Sequence, residues 1–234
     1  MDLSAITTLT FDCYGTLIDW ERGIVQALSP WLARHGRRVE PEALLALFAR
    51  FETEEQQRAP GLAYPDILAR VMGRIGEALG VDVEDADLRA FGASVGDWPP
   101  FPDSAAALGR LARRFRLVVL SNVDRESFAR SKAKLKVVFH RVFTAEDIGA
   151  YKPDPRTFAH MLEALAREGT ARDRILHVAQ SLYHDILPAQ RAGLRTCWID
   201  RREGRAGGAT PDPSAPVTPD LRFSSLQAFA DFAL

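Results

Sequence analysis

The chain has 234 residues, 47% hydrophobic and 26% charged, the balance of an ordinary globular protein with no disordered, collagenous or membrane bias. Thirty basic and 31 acidic side chains leave a net charge of -1, which gives no electrostatic case for nucleic acid as the main partner. Cys13 and Cys197 are too few for a disulfide framework and lack metal-ligand spacing. The opening residues carry no basic leader, and no apolar run approaches a membrane span. The expectation is a cytoplasmic chain with neither a nucleic-acid nor a membrane partner.

In chain order, the first element is the β-branched and aromatic run Ile6 to Phe11, which stops at Asp12-Cys-Tyr-Gly-Thr16. Its composition predicts a buried parallel strand followed by a turn. From Asp19 to Trp98 the pattern becomes helical, with amphipathic stretches over Glu42 to Gln57, Pro65 to Leu79 and Glu84 to Val95. Trp98-Pro-Pro-Phe-Pro-Asp103 then reads as a stiff boundary or hinge.

Beyond it the pattern alternates. Strands are predicted at Arg116 to Ser121, Ile175 to Ala179 and Thr196 to Ile199. Helices are predicted at Ser104 to Arg114, Arg125 to Lys136, Pro155 to Glu168, Ile186 to Ala192 and Ser224 to Phe232. Gly207 to Pro219 reads as a surface loop. Strand-helix alternation predicts an α/β fold, a Rossmann-like doubly wound parallel sheet, with a helical cap inserted after the first strand. The expected division is a core of 1–18 and 99–234 and a cap of 19–98.

In an open parallel sheet the active crevice lies beyond the carboxyl ends of the strands. Asp12, Ser121-Asn122, Lys152 and Asp185 all fall there, far apart in sequence but convergent in such a fold. A lone Asp after a strand is ordinarily a cap or turn residue. With three partners it reads as a nucleophile, which must be ionised and held rigidly. Lys152, stiffened by the prolines of Tyr151-Lys-Pro-Asp-Pro155, would lower the Asp12 pKa. Ser121 and Asn122 are either turn formers or donors to an anionic substrate group.

Together these residues resemble the haloacid dehalogenase-like superfamily. Asp12-Cys-Tyr-Gly-Thr16 is similar to its first motif, Ser121-Asn122 to its second, Lys152-Pro-Asp154 to its third and Gln180-Ser-Leu-Tyr-His-Asp185 to its fourth. The resemblance covers residue 5 to about 202 and implies a cap. Most members are magnesium-dependent phosphatases with a second Asp two residues after the nucleophile and an Asp opening the fourth motif. Here those positions hold Tyr14 and Gln180, a loss of anionic oxygens that argues against a phosphatase and against a bound metal. The Asp-X-Tyr-Gly-Thr pattern instead resembles the (S)-2-haloacid dehalogenases, which use no cofactor.

That resemblance implies Asp12 as the nucleophile, Lys152 as its electrostatic partner and Asp185 as an aid to the hydrolytic water. Ser121 and Asn122 would help hold the substrate carboxylate, Gln180 and Ser181 would also bind substrate, and Tyr14 would wall the pocket. Arg50, in Phe48-Ala-Arg50, stands in a context similar to the cap arginine that receives halide, and reads equally well as a solvated helix residue. The fourth motif departs from the family: Leu182 takes an asparagine position that serves the hydrolytic step, and Phe51 and Phe158 replace Gln and Tyr. His184 reads as a structural residue or a base near neutrality, and Cys13 as a packing residue.

The expected reaction is metal-independent displacement at a small 2-substituted carboxylic acid. A phosphatase and a catalytically silent carboxylate binder are the rival readings, and attack on a strained ring amine is open to the same chemistry. A homodimer, formed through the cap or an exposed core face, is expected from the resemblance, as is flexing near Asp19 and Trp98.

Overall fold

A computed structural model describes residues 2–205, 207–213 and 215–234. Six strands form one parallel sheet: β1 Thr8–Phe11, β2 Arg116–Ser121, β3 Arg141–Thr144, β4 Ile175–Ala179, β5 Arg195–Ile199 and β6 Leu221–Phe223, in the order β3-β2-β1-β4-β5-β6. β1 is central, with Phe11 opposite Val119 on one side and Val178 on the other. The strand order reverses between β1 and β4, where an α/β sheet opens a crevice at its carboxyl edge. Asp12 follows β1 directly into that crevice.

Successive residues of the inner strands face opposite layers, as the strand period requires. Leu117 and Val119 join one buried layer, while Val118 and Leu120 join another with Phe158, Met161 and Leu165. The core helices are α5 Ser104–Leu111, α6 Arg125–Leu135, α7 Ala145–Ile148, α8 Pro155–Arg167, α9 Leu187–Arg191 and α10 Leu226–Ala233. Their starts follow local rules: Asp124, Asp154 and Ser225 each accept a backbone N–H of the first turn, and Pro155 opens α8.

The cap consists of α1 Trp20–Arg34, α2 Pro41–Arg58, α3 Tyr64–Leu79 and α4 Asp85–Gly92, followed by a short 3₁₀ turn over Ala93–Asp97. Phe48 packs edge-on to Trp20 and Phe91 at its centre, and Trp31 Nε1 donates to the Asp82 carbonyl at 2.9 Å. The chain leaves and re-enters the core side by side. Asp19 N donates to Pro99 O at 2.8 Å and Phe101 N to Leu17 O at 3.1 Å. Trp98 is buried there, so close to α1 that a Cβ on Gly23 would lie 2.2 Å from its Cγ.

Three features differ from the sequence reading. Helix α1 was not anticipated, because Gly23 and Pro30 interrupt its pattern. Strands β3 and β6 were also missed; they are edge strands of four and three residues with Arg141 and Arg222 in them, too short and too charged to stand out as apolar runs. The stretch from Gly207 is not wholly a surface loop: Gly208 and Ala209 are buried, and Ala209 N donates to Glu21 Oε1 at 2.9 Å. Ser214, within the same stretch, lies outside the described residues. Among the described residues no helix is long and apolar enough to cross a membrane.

Candidate active site

The turn after β1 presents the first group. Gly15 has φ of +93° and sits where a Cβ would come within 3.0 Å of Gln180 Oε1 and Trp20 Nε1, so the turn requires glycine on both counts. It brings Thr16 back onto Asp12: Thr16 Oγ1 donates to Asp12 Oδ2 at 2.6 Å and accepts from Gln180 N at 2.9 Å. The first and fourth motifs are thus tied through one hydroxyl.

Lys152 arrives from the loop before α8. Its ammonium donates to Asp12 Oδ1 at 2.9 Å, to Asp185 Oδ1 at 2.6 Å and to Leu120 O at 3.0 Å, which uses all three of its protons. Asn122 fixes the lysine main chain from both ends, accepting from Lys152 N at 2.7 Å and donating to Lys152 O at 3.0 Å. Asp185 also accepts from His177 Nε2 at 3.1 Å, and His177 Nδ1 lies 2.9 Å from Thr10 Oγ1. All of Asp12, Lys152, His177 and Asp185 are buried.

One ammonium serves two carboxylates, and the two respond differently. Burial pushes the Asp12 carboxyl up, and Lys152 offsets this only in part. Burial opposes ionisation of Asp185 too, but Lys152 and His177 outweigh it and hold that carboxyl below the usual range. Burial works against the Lys152 charge, which the two carboxylates restore and hold above the ordinary lysine value. The expectation that Lys152 leaves Asp12 with a lowered pKa is therefore corrected: desolvation dominates. Asp12 is the more basic carboxylate, as suits a nucleophile, and Asp185 the anion that anchors the lysine.

Asp12, Lys152 and Asp185 line a small pocket of about 30 Å³ between core and cap. Tyr14, Asn122 and Ser181 line it as expected, and the cap and the loop after β5 add Trp20, Glu52, Tyr64 and Thr210. Tyr14 OH pairs with Ser131 Oγ at 2.8 Å and its ring stands edge-on to Trp98, so it is a wall fixed at both ends. Ser181 Oγ accepts from His184 N at 2.8 Å, capping a π-helical turn over Leu182–Ile186 that places Asp185.

Several expected roles are not matched by position. Arg50 is corrected: its side chain is 68% exposed and pairs with Glu54 at 3.1 Å, away from the pocket. Phe51 lies beneath Arg74, 4.3 Å from guanidinium carbon to ring centre, and is no pocket wall. Ser121 is buried with no partner for its hydroxyl and is not among the residues that line the pocket. The Gln180 side chain accepts from Thr210 Oγ1 at 3.3 Å and lines a neighbouring crevice with Gly15, Arg201 and Arg202. His184 is pushed down to about 4 by burial, so it is not a base poised near neutrality.

Glu52 is the main residue that sequence reasoning missed. It is buried on α2; its Oε1 accepts from Gln56 Nε2 at 2.7 Å and from Tyr64 OH at 3.0 Å, while its Oε2 has no partner. Burial pushes its carboxyl up to about 7. The available signal was helical spacing, since Phe48, Glu52 and Gln56 share one face of α2.

The donor set does not fit a hard divalent cation. An ammonium stands between Asp12 and Asp185, Tyr14 and Gln180 occupy the positions where carboxylates would be needed, and octahedral Mg²⁺ asks for anionic oxygen ligands. Among the described residues no group of three or more His, Cys, Asp or Glu side chains is placed to hold a metal ion.

An Asp at the switch point of a parallel sheet, a buried lysine beside it and a helical cap above are the arrangement of a cap-bearing α/β hydrolase. The haloacid dehalogenase-like hydrolase family model matches residues 6–193, and the chain belongs to that family. It is 27% identical to (S)-2-haloacid dehalogenase H-109 of Pseudomonas putida over 99% of this chain and all of that one. It is 30% identical to a phosphoserine phosphatase of Thermus thermophilus over 85% of this chain and 76% of the other. Among solved structures, the L-2-haloacid dehalogenase RSc1362 superposes with a TM-score of 0.80 at 20% identity, covering 97% of this chain and 98% of its own. At that identity the structural likeness speaks to the fold alone.

Proposed function

We propose that the chain is a metal-independent hydrolase of (S)-2-haloacid dehalogenase type, acting on a small 2-substituted carboxylic acid. The observation that carries this reading is the Asp12–Lys152–Asp185 cluster with Tyr14 packed into the wall. A carboxylate nucleophile is present, and the carboxylate a phosphatase uses to protonate its leaving group is replaced by a fixed phenol. Two relatives matched over nearly their full length act on 2-haloacids by name.

In this reading the Asp12 carboxylate attacks C2 from the core side and the leaving group departs toward the cap. The C2–leaving-group bond breaks with its electron pair, and an ester joins Asp12 to the substrate. Water then attacks the Asp12 carbonyl carbon, returning the carboxylate and giving the 2-hydroxy acid. Lys152 offsets charge on Asp12 throughout, and the unpartnered Asp185 Oδ2 is free to accept from the hydrolytic water. A pocket of about 30 Å³ holds only about two waters, so cap and core part to admit substrate and close over it.

The test is halide release from (S)-2-chloropropionate with EDTA present, comparing wild type with Asp12→Asn. Release by the wild type alone supports the reading. The phosphatase relative at 30% identity motivates the second arm: cleavage of p-nitrophenyl phosphate only when Mg²⁺ is supplied, with no halide release, refutes it.

A further inference from the structure

The pocket has a character that halide release does not use. Its charged or acidic lining groups are Asp12, Lys152, Asp185 and Glu52, with no arginine among the described lining residues. Lys152 is the only cation of that set, and all its protons are committed to Asp12, Asp185 and the Leu120 carbonyl. A substrate carboxylate would bring one more negative charge to a site that already carries a net negative one, and displacement of halide would move the Asp12 charge to the leaving-group side, where no described lining residue is cationic. Binding a positive group there would relieve the same imbalance.

Glu52 is built to meet such a group. It is 3% exposed, its Oε1 is saturated by Gln56 and Tyr64, and its Oε2 is buried without a partner. Three aromatic side chains, Tyr14, Trp20 and Tyr64, line the same small pocket. A buried carboxylate among aromatic side chains is a setting that can recognise a desolvated ammonium. In-line attack by Asp12 from the core drives the leaving group toward the cap residues of this set, Trp20, Glu52 and Tyr64.

We propose that Glu52, with Tyr14, Trp20 and Tyr64, binds a cationic nitrogen, and that the substrate class at this site is a small strained cyclic amino acid whose ring nitrogen is the leaving group. The proposal rests on the reading of Asp12 as a nucleophile at C2. An amine is a poor leaving group, so ring strain supplies the driving force. The Asp12 oxygen–C2 bond forms as the C2–N bond breaks. The electron pair goes to nitrogen, and the ring ammonium leaves as a neutral primary amine that keeps both its hydrogens on Glu52 Oε2. Water hydrolyses the ester at Asp12, giving the 2-hydroxy ω-amino acid and one proton, which the amine takes up. The tethered amine remains part of a single product, so no separate anion needs a cradle.

The experiment offers (S)-azetidine-2-carboxylate and (S)-2-chloropropionate separately to wild type and Glu52→Gln, reading primary amine from the first and chloride from the second. The expected result is ring opening by the wild type and a ratio of the two kcat/KM values that shifts about 100-fold against the amine in the variant, the scale of losing the partner of a buried charge. Chloride release without ring opening overturns the proposal and leaves the proposed function standing. Ring opening without chloride release leaves the proposal standing and refutes the halide reading. Neither product refutes both. Ring opening untouched by Glu52→Gln overturns the role of Glu52.

Should Glu52→Gln fail to fold, calorimetry on Asp12→Asn reads the same preference. Azetidine-2-carboxylate is expected to bind at least about tenfold more tightly than cyclobutanecarboxylate, its uncharged-ring isostere, one tenfold step being about 1.4 kcal/mol. Equal affinities overturn the proposal.

Discussion

Glu52→Gln also isolates the cost of burying a carboxyl in the cap. The folded protein holds Glu52 at about 7, against 4.5 for an ordinary glutamate, because burial disfavours the anion more than Tyr64 and Gln56 stabilise it. The folded state therefore binds this proton more tightly than the unfolded state. Below pH 4.5 both states are protonated and the group costs nothing. Between 4.5 and 7 the unfolded chain ionises first, and stability is lost as pH rises, at 1.36 kcal/mol per unit. Above 7 the loss levels off at about 3 kcal/mol, a large share of the roughly 5–15 kcal/mol that holds a typical domain folded.

Glutamine has the same shape and does not titrate. The stability of Glu52→Gln relative to wild type should rise by about 3 kcal/mol from pH 4.5 to pH 8, most of it before pH 7. The amide nitrogen placed at the Oε2 position adds a pH-independent offset of about 1–3 kcal/mol, so the slope is the diagnostic quantity. Urea unfolding of both proteins at pH 5, 6, 7 and 8 measures it, and every other titrating group is common to the two. A difference that does not change with pH would refute the burial argument, since it would mean that Glu52 titrates alike in both states.

Lys152→Met should abolish turnover and destabilise the fold by about 3–5 kcal/mol in urea unfolding, because Asp12 and Asp185 would be left buried beside one another without a counter-charge. The acid limb of kcat/KM should have its midpoint above 3.8, since burial raises the Asp12 carboxyl and activity is lost as pH falls through it; a midpoint at or below 3.8 would contradict that direction. Arg50→Ala should leave kcat/KM within about twofold and stability within about 0.5 kcal/mol, the worth of an exposed ion pair. A large loss of activity would place Arg50 in the pocket and contradict its position.

The core of the site was legible because each of its groups interrupts an apolar strand at its end. Asp12, Asn122 and Ser181 stand out just past β1, β2 and β4 for that reason, and the parallel topology brings Lys152 and Asp185 to them, while Ser121 and Gln180, marked by the same signal, do not line the pocket. What was not legible depends on which face of an element looks inward. Arg50 and Glu52 are two residues apart on α2, and a helix turns about 200° over two residues, so one points to solvent and the other into the pocket. Local context favoured Arg50; only the packing of α2 on Tyr64 and Trp20 decides for Glu52. Thr210 was hidden in a glycine- and proline-rich stretch, where composition predicts exposure. His177 was hidden differently, inside a strand whose five residues are all buried, so no alternation marks it as facing the site.

That histidine bears on how two similar carboxylates take different roles. Asp12 and Asp185 share one ammonium, and their other partners differ in kind. Asp12 receives the neutral hydroxyl of Thr16, whereas Asp185 receives a ring N–H from His177, itself held against Thr10 of the central strand. An N–H donor stabilises the anion it faces and carries the field of the imidazole with it, so the balance tips toward ionisation at Asp185 and away from it at Asp12. Pairs of acids whose surroundings push their affinities for protons apart divide the chemistry between them. In this site the division is set beneath the reacting atoms, by Thr10 on β1 and His177 on β4, at one register position of two neighbouring strands.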